Sequence, residues 1–340
     1  MPDNPRGGAT ARPAARASAA ALPRTMRAVS VAEPGGPGEL VTRTIAVPAR
    51  VGSEVLVRVV AAGVNPVDAT TRSGDGVSPG AHSWPIVPGY DFSGVVAESP
   101  YAEFPLQPGD EVFGMTAFPR TTGSYAEYVS VPAMSVARKP RVLSHVEAAA
   151  VPLAALTAWG AVVDLGKAHE GQRMLIDAGA GGVGHLAVQF GAYFGADVTA
   201  TASERNAPWL RSIGARRVLD CTADAFDELL TGFDVVIDCS GGDTGRRSLS
   251  VLRPGGHLVS LAPGSWPAIR EDAEAAGVRV TDFWVTPDGG TLSVIARLID
   301  SGDVQVTVDS VFALEDAPEA HRLLESGQVR GKIVLRISEY

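Results

Sequence analysis

One stretch decides the fold: RMLIDAGAGGVGHLAVQFGAYF, residues 173–194. It begins as a short apolar strand and ends, from residue 184, as an apolar segment with helical spacing. Between them lies the pattern G-x-G-x-x-G, in the strand–loop–helix setting that gives this motif its meaning. The free N–H groups at the start of such a helix hold a pyrophosphate. The stretch therefore predicts a dinucleotide site formed by Gly179, Ala180, Gly181, Gly182, Val183 and Gly184.

Each glycine of this loop has a predicted role. We expect Gly179 to permit the tight turn, Gly181 to let the backbone approach the ligand, and Gly184 to let the helix pack on the strand. His185, in the first helical turn, is interpreted as a bystander. Two alternatives stay open at this point: a glycine-rich turn in an unrelated α/β fold, or a methyltransferase loop for S-adenosylmethionine, with Asp177 just before it.

Strands alternate with helices after this loop, which predicts βαβ units, a parallel sheet and an α/β fold class. The apolar run at 235–237 fits a strand buried on both faces. The predicted strands are Arg173–Ala178, Val198–Ala202, Arg217–Leu219, Asp234–Asp238 and His257–Leu261, with helices at Gly184–Phe194 and Ala207–Ile213. An apolar helical pattern at Val146–Leu165, interrupted by Pro152, precedes them.

The chain on either side has a different texture. Short strands at Val55–Ala62, Gly94–Ala97 and Glu111–Phe113 predict a compact β domain. Beyond the α/β region we expect a helix at Thr291–Ile299, a strand at Val304–Val308, a helix at Ala317–Leu324 and a strand at Lys332–Ile337. This tail is long enough to return to the first domain. Residues 1–25, rich in Ala, Pro and Arg, are expected to form a disordered tail, to precede the real start at Met26, or to be a transit peptide.

The end of the second α/β strand indicates which cofactor is bound. An NAD site places Asp or Glu about 20 residues after the glycine loop, where it accepts from the ribose 2′-hydroxyl. Here Ser203 occupies that place and Arg205 follows. A hydroxyl and a guanidinium suit a 2′-phosphate, which favours NADPH. The alternative is that Arg205 is a surface side chain paired with Glu204.

Composition excludes several classes of function. The formal net charge of −9 argues against nucleic-acid binding, which needs a basic patch. No apolar run approaches the roughly 20 residues that cross a bilayer. With only two cysteines and no H-x-x-x-H pairing, neither a disulfide framework nor a zinc site is expected, and a reducing cytoplasm fits.

The chain resembles the zinc-independent medium-chain dehydrogenase/reductases, in particular quinone oxidoreductases and enoyl reductases. The likeness extends from Met26 to Ile337. It is carried by GVNPVD (63–68), PGYDFSG (88–94), PGDEV (108–112), GSYAEY (123–128), PLAALTA (152–158), RPGG (253–256) and GKIVL (331–335). The resemblance implies a GroES-like β domain, 26–150 completed by 290–340, split around a Rossmann domain at 151–289. It also implies no metal, because Asn65 and Gly89-Tyr90-Asp91 stand where the zinc branch has Cys and Gly-His-Glu.

The resemblance also implies roles for individual residues. Asn65 would sit beside the nicotinamide with its amide free to donate, or would merely hold its own turn. Asp68 is grouped with Asn65 as catalytic, although bracing the loop is the interpretation we favour. Thr157 would approach the nicotinamide or its ribose, or would bond only to its own helix. Lys332 is assigned to the cofactor site.

Other expected cofactor contacts follow from the sheet. Ligands of open α/β sheets lie at the carboxyl ends of strands, which places Ser240, Gly241 and Leu261 at the crevice. Phe283, Trp284 and Val285 are expected at the nicotinamide or substrate, with an ordinary core role as the alternative for the aromatic pair. Two departures from the family pattern stand out, at positions where relatives carry Tyr. Thr70 leaves the proton donor unidentified, and Cys221 removes a contact that some relatives make to the 2′-phosphate, which counts against NADPH.

The implied activity is transfer of hydride from NADPH to a quinone or an α,β-unsaturated carbonyl compound. The enzyme is expected to be a homodimer that acts on a small molecule, without membrane or nucleic acid. A short-chain dehydrogenase is disfavoured, because no Y-x-x-x-K occurs. A family member recruited to a non-redox or biosynthetic tailoring role is the remaining alternative.

Overall fold

A computed structural model describes residues 22–76, 84–117, 123–220, 226–262 and 264–339. Within these ranges the strands are β1 (Thr25–Ser30), β2 (Val41–Ala46), β3 (Glu54–Val64), β4 (Asp91–Glu98), β5 (Glu111–Met115), β6 (Tyr128–Pro132), β7 (Val136–Arg138), β8 (Arg173–Ile176), β9 (Asp197–Ala202), β10 (Arg217–Asp220), β11 (Phe233–Asp238), β12 (Leu252–Ser260), β13 (Arg279–Asp282), β14 (Val308–Ala313) and β15 (Lys332–Arg336).

The helices of the same ranges are α1 (Pro66–Ser73), α2 (His145–Ala149), α3 (Pro152–Trp159), α4 (Gly184–Tyr193), α5 (Ala207–Ser212), α6 (Phe226–Leu229), α7 (Gly242–Arg247), α8 (Ile269–Ala275), α9 (Gly289–Asp300) and α10 (Ala317–Glu325). A π-helical segment, Gly160–Leu165, continues α3. None of the helices in the described ranges has the length and apolar content needed to span a membrane.

The α/β region forms a parallel sheet in the order β10-β9-β8-β11-β12-β13. The chain starts at β8, moves outward through β9 and β10, and then crosses to β11 on the other side. The order therefore reverses between β8 and β11, and a crevice opens at their carboxyl ends, where such folds bind ligands. Met174–Ile176 and Val235–Ile237 are buried on both faces, as expected of central parallel strands. The predicted α/β class with a doubly wound parallel sheet is confirmed.

The β region forms a second sheet in the order β14-β15-β3-β4-β5-β7, with β6 paired to β3. Strands β1 and β2 form a separate two-stranded sheet, which a bridge between Ala28 and Ala126 joins to the rest of the β region. The last strand of the chain, β15, pairs antiparallel with β3, so that Ile333 lies opposite Val64. The C-terminal tail thus returns to the first domain, as the sequence predicted.

One backbone contact and one side-chain contact join the halves at the phosphate loop. The N–H of Gly331 donates to the carbonyl of Ala180 over 2.9 Å. A Cβ on Gly182 would lie 2.8 Å from Cδ of Lys332, so the loop and the lysine stem are in direct contact. The start of β15 is therefore packed on the glycine loop of the other domain.

The structure differs from prediction at both ends of the chain. Strand β1 begins at Thr25, one residue inside the segment predicted to be a disordered tail, and the carbonyl of Arg24 accepts from Val47. Residues 1–21 lie outside the described ranges. The strand predicted at Val304–Val308 is wrong, because β14 starts only at Val308.

The backbone before β14 has other partners. The N–H of Val304 donates to Leu298 at the end of α9, and both backbone groups of Gln305 bond to the side chain of Gln189. The apolar pattern of this segment reflects burial of Val304 in the core rather than a place in a sheet.

Candidate active site

The glycine loop follows β8 and opens α4, as predicted. Its left-handed residue is Ala178, with φ of 50°, whereas Gly179 has no positive φ. Gly179 is needed for another reason, since a Cβ there would lie 2.8 Å from Cβ of Ala200 on the neighbouring strand. The role predicted for Gly179 is corrected accordingly, from turn former to close neighbour of β9.

Of the other two glycines, Gly184 has its predicted packing role, whereas the ligand contact predicted for Gly181 stays a prediction. A Cβ on Gly184 would lie 2.3 Å from the carbonyl oxygen of Ala178, so the helix can approach the strand only without a side chain. At Gly181 a Cβ would meet only that same oxygen, at 3.3 Å. Apart from this one contact, the space beside its Cα is open, so a diphosphate could approach the backbone there.

The loop presents donors without protein acceptors. Within the part of the chain that the structure describes, the N–H groups of Gly182, Val183 and Gly184 have no hydrogen-bond acceptor. Together with the positive end of the α4 dipole they form a cradle suited to an anionic diphosphate. The loop residues thus fit a dinucleotide.

Asp177 and His185, on either side of the loop, are turned inward. The Asp177 carboxylate accepts from Thr201 and from Ser248, and burial raises the pKa of Asp177 to about 7. The His185 ring bonds to the carbonyl of Gly181 and stacks on Trp209. Burial lowers the pKa of His185 to about 4, so its ring is neutral at physiological pH. Both are structural residues beneath the loop, as proposed for His185.

A basic pocket lies at the end of β9. Ser203 is half-buried there and accepts from Asn206, and Arg205 donates to the carbonyl of Gln328 over 3.1 Å. The pocket has a volume of about 310 Å³ and is lined by Arg205, Asn206, Asp309, Gln328 and Arg330. The Arg330 guanidinium lies 5.4 Å from the centre of the Trp209 ring. Sequence reasoning missed Arg330, whose position directly before the GKIVL motif was the available signal.

Asn65 sits at the centre of a buried polar cluster with Asp91 and Lys332. Its Nδ2 donates to Oδ2 of Asp91 over 2.8 Å, and its Oδ1 accepts from Nζ of Lys332. The ammonium also donates to the carbonyl of Val64 over 3.1 Å and lies 3.4 Å from Oδ2 of Asp91. All three side chains are buried, at 3% exposure or less.

These contacts correct the expectation that the Asn65 amide is free. A lysine can only donate and a carboxylate can only accept, so the two partners fix which way the amide points. One N–H of the Asn65 amide remains for a further acceptor. Burial raises the pKa of Asp91, and the Lys332 charge together with the donors around the carboxylate opposes that rise.

Asp68 braces two turns, as expected from the sequence. Its Oδ2 accepts from the backbone N–H of Asn65 over 2.7 Å, and its Oδ1 accepts from that of Gly89 over 3.1 Å. Burial raises the pKa of Asp68 to about 7, against the effect of these N–H donors. One carboxyl group therefore holds both motif turns of the β domain.

Thr157 lies on the helix that Asp91 anchors. Oδ1 of Asp91 accepts from the N–H of Leu153 over 2.6 Å, in the first turn of α3. One turn later the Thr157 hydroxyl donates to the carbonyl of Leu153 over 2.7 Å. Its proton is thus used within the helix, which was the alternative predicted for this residue, and only its oxygen can still accept.

The strand-end residues lie where the sheet topology placed them. The N–H groups of Ser240 and Gly241 donate to the Asp238 carboxylate after β11, and the N–H of Leu261 donates to the Asp238 carbonyl. This fixes the loops at the carboxyl ends of β11 and β12. Whether they touch a cofactor stays a prediction.

The two aromatic residues after β13 have different environments. Phe283 is half-buried and packs so closely on Gly160 that a Cβ there would lie 2.3 Å from its ring. It has the core role that the sequence left open. Trp284 is 55% exposed and Val285 is half-buried.

The remaining predicted positions carry less information. Thr70 is exposed and its hydroxyl donates to the carbonyl of Val67. Cys221 lies outside the described residues. Among the residues that are described, no three His, Cys, Asp or Glu side chains converge on a possible metal site, and zinc independence stays a prediction.

Comparison with known proteins agrees with this architecture. Residues 52–141 match the alcohol dehydrogenase GroES-like domain family, and residues 213–335 match the family described as zinc-binding dehydrogenase. The chain is 36% identical to a 2-methylene-furan-3-one reductase of Solanum lycopersicum, over 92% of this chain and 80% of that protein. It is 34% identical to a chloroplastic NADPH-dependent alkenal/one oxidoreductase of Arabidopsis thaliana, over 93% and 81%.

A solved structure shows the same fold. The quinone oxidoreductase of Coxiella burnetii superposes with a TM-score of 0.88 at 33% identity, covering 92% of this chain and all of that one. The named relatives are oxidoreductases, and this chain is an enzyme of the same class. The chain belongs to the medium-chain dehydrogenase/reductase superfamily, in its quinone oxidoreductase and enoyl reductase branch.

Proposed function

We propose that this enzyme uses NADPH to reduce a quinone or an α,β-unsaturated carbonyl compound, without a metal. The observation that carries the proposal is a phosphate cradle with free N–H groups, packed directly on the Asn65–Asp91–Lys332 cluster through Gly182. Relatives whose names specify alkenal/one, methylene-furanone and quinone reduction support the substrate class.

The preference for NADPH over NADH rests on charge. Arg205 and Arg330 line the pocket at the end of β9, where Asp309 is the acid among the lining residues. A guanidinium pair suits a phosphate dianion, whereas a ribose diol needs a carboxylate acceptor at this position. The half-buried hydroxyl of Ser203 supplies a further donor.

The protein's own residues bind and orient. The loop N–H groups would hold the diphosphate, and Arg205 with Arg330 would hold the 2′-phosphate. Asn65 and Thr157 would border the nicotinamide end, and the buried Lys332 charge would favour negative charge developing nearby. Bound NADPH supplies hydride to the electrophilic carbon of the substrate. We propose that water delivers the proton, since Thr70 carries no acidic hydroxyl.

The test is consumption of NADPH absorbance across a panel of quinones and enones. We expect turnover with at least one acceptor class and clear preference for NADPH over NADH. NADPH should also raise the melting temperature, and S-adenosylmethionine should leave it unchanged. Flat traces across the panel despite tight NADPH binding would support the non-redox tailoring alternative instead.

We also propose a cytoplasmic homodimer with the domain division given above. Strand β13 lies at the edge of the Rossmann sheet, and among the described strands only β12 pairs with it, so a second copy could pair with its outer side. Light scattering in solution that gave the mass of a single chain at micromolar concentration would refute the dimer. Cell fractionation tests the location.

A further inference from the structure

A continuous chain of buried polar side chains runs from the surface to the Asn65 turn. It starts at Glu325 on α10, passes through Arg72, His321 and Tyr125, and ends at Asp68. His321, Tyr125 and Asp68 have no exposed surface, and Arg72 is 4% exposed. The chain joins the C-terminal helix to the turn that carries Asn65.

The guanidinium of Arg72 gives this chain a direction. Its Nε donates to the carbonyl of Gly35, its Nη2 donates to Glu325 over 2.6 Å, and its Nη1 lies 3.1 Å from Nδ1 of His321. Because arginine has donors only, Nδ1 of His321 must accept. The ring proton then sits on Nε2, which donates to the Tyr125 hydroxyl over 3.1 Å.

The tautomer is maintained because His321 does not take up a second proton at neutral pH. Burial, and then the Arg72 charge, lower the pKa of His321 to about 3. The Tyr125 hydroxyl, accepting from His321, has its own proton available for Oδ2 of Asp68, 3.4 Å away. From Nη1 of Arg72 onward, each hydrogen bond of the chain is thus donated in the direction of Asp68.

Asp68 converts this chain into a constraint on two backbone turns. Its carboxylate accepts from the N–H groups of Asn65 and Gly89, at the starts of the GVNPVD and PGYDFSG segments. A carboxylate with three donors cannot rotate without losing one of them. The Tyr125 hydroxyl therefore helps to fix the orientation of the Asp68 carboxylate, which in turn holds both turns.

We propose that Tyr125, His321 and Arg72 are positioning residues for catalysis, acting through Asp68 on the placement of Asn65. The inference rests on the proposed function, in which Asn65 borders the reacting end of the cofactor. Misplacing that turn by a fraction of an ångström affects turnover far more than cofactor affinity, because the phosphate loop and the Arg205–Arg330 pocket lie on other elements.

The experiment compares two buried histidines of the same half of the fold. His145 is 6% exposed and bonds to Ser93, and it has no part in the chain that ends at Asp68. The variants are H321L, H321Q, Y125F and the control H145L, all in the full-length protein. Glutamine at 321 keeps an acceptor for Arg72 and a donor for Tyr125, so H321Q should restore what H321L loses.

We expect H321L and Y125F to lower kcat by about ten- to a hundredfold, with the Kd for NADPH unchanged. H145L should keep kcat even if it lowers the melting temperature as much as H321L. In the ligand-free protein, amide hydrogen exchange of peptides covering residues 63–70 and 88–91 should accelerate in H321L and not in H145L.

Two results separate this inference from the proposed function. If wild type reduces acceptors and H321L matches H145L in kcat and exchange, the positioning role is refuted while the proposed function stands. If wild type reduces no acceptor, the proposed function fails, and hydrogen exchange alone still decides whether His321 holds the Asn65 turn.

Discussion

Gly181 and Gly184 illustrate at the scale of single residues how one motif serves two purposes. Gly184 has the carbonyl of Ala178 where a Cβ would be, whereas Gly181 has nearly open space at the same point. The fold therefore requires a glycine at 184, and we expect the ligand to require one at 181. Substituting each with alanine separates the two.

We predict that G184A destabilises the protein by about 1–3 kcal/mol, the usual cost of forcing a methylene into a packed site. G181A should leave the free energy of unfolding nearly unchanged and weaken NADPH binding instead. Urea unfolding and fluorescence titration with NADPH measure the two effects. Equal loss of stability in both variants would contradict the distinction.

Arg330 is the residue-scale test of cofactor preference. We predict that R330A weakens NADPH binding by roughly ten- to a hundredfold, the worth of a charge-assisted hydrogen bond. The affinity for NADH should not change, because NADH has no 2′-phosphate for the pocket at the end of β9 to bind. R336A, exposed on β15 beyond this pocket, is the matched control.

Equal loss of affinity for NADPH and NADH in R330A, or a greater loss for NADH, would refute this assignment. R205A should behave as R330A does, because both side chains line the same pocket.

At the scale of elements, Asp91 joins three of them. Its carboxylate accepts from Asn65 at the start of α1, from Leu153 in the first turn of α3, and from Lys332 at the start of β15. The buried Asp91–Lys332 ion pair lies within the GroES-like domain, and the Asp91 bond to Leu153 links this pair to the first helix of the Rossmann domain. Such a pair is costly to break from one side only, because the remaining charge has no water.

We predict that D91N lowers the free energy of unfolding by about 3–5 kcal/mol, because Lys332 is left as an uncompensated buried charge. K332M should cost a similar amount, since Asp91 then loses its counter-charge. The double variant D91N/K332M should be more stable than either single one. A double-mutant cycle by chemical unfolding measures the coupling, and additive losses would refute it.

Much of the element pattern could be predicted from the sequence, but the partners within the site could not. Strands β8 to β12, helix α4 and the return of β15 follow from periodicity, glycine spacing and family motifs. The Asn65 amide bonds to Lys332, 267 positions away, and Arg72 meets His321 at a separation of 249. A local sequence pattern does not show which distant side chain will contact a given residue. For that reason the Asn65 amide was predicted to be free.

The segment before β14 failed for a related reason. Alternating apolar residues there predicted a strand, yet Gln189 takes both backbone groups of Gln305. The Gln189 side chain of α4 thus makes the hydrogen bonds that a neighbouring strand was expected to make.

For the whole molecule, we expect the pH dependence of stability to reflect buried groups whose pKa values shift in opposite directions: a histidine with a lowered pKa and an aspartate with a raised one. His185, with its pKa lowered to about 4, takes up its proton only in the unfolded chain between pH 6.5 and 4. It therefore lowers stability as pH falls through that window. Asp177, with its pKa raised to about 7, releases its proton first in the unfolded chain, so it lowers stability as pH rises from 3.8 to 7.

We predict that H185Q reduces the loss of stability between pH 6.5 and 4 by up to about 3 kcal/mol relative to wild type. D177N should instead reduce the loss on raising the pH from 4 to 7. Chemical unfolding at a series of pH values gives both slopes. The same pH dependence in wild type and both variants would show that neither group is responsible.

The contact of Gly331 and Lys332 with the phosphate loop bears on biosynthesis. The ribosome makes Ala180 and Gly182 long before it makes β15, and the loop and the strand can meet only once β15 has left the ribosome. Until then the nascent chain has a Rossmann sheet with an open flank and an Asn65 without its lysine. We therefore expect newly made enzyme to acquire its full affinity for the proposed cofactor only after β15 has paired with β3.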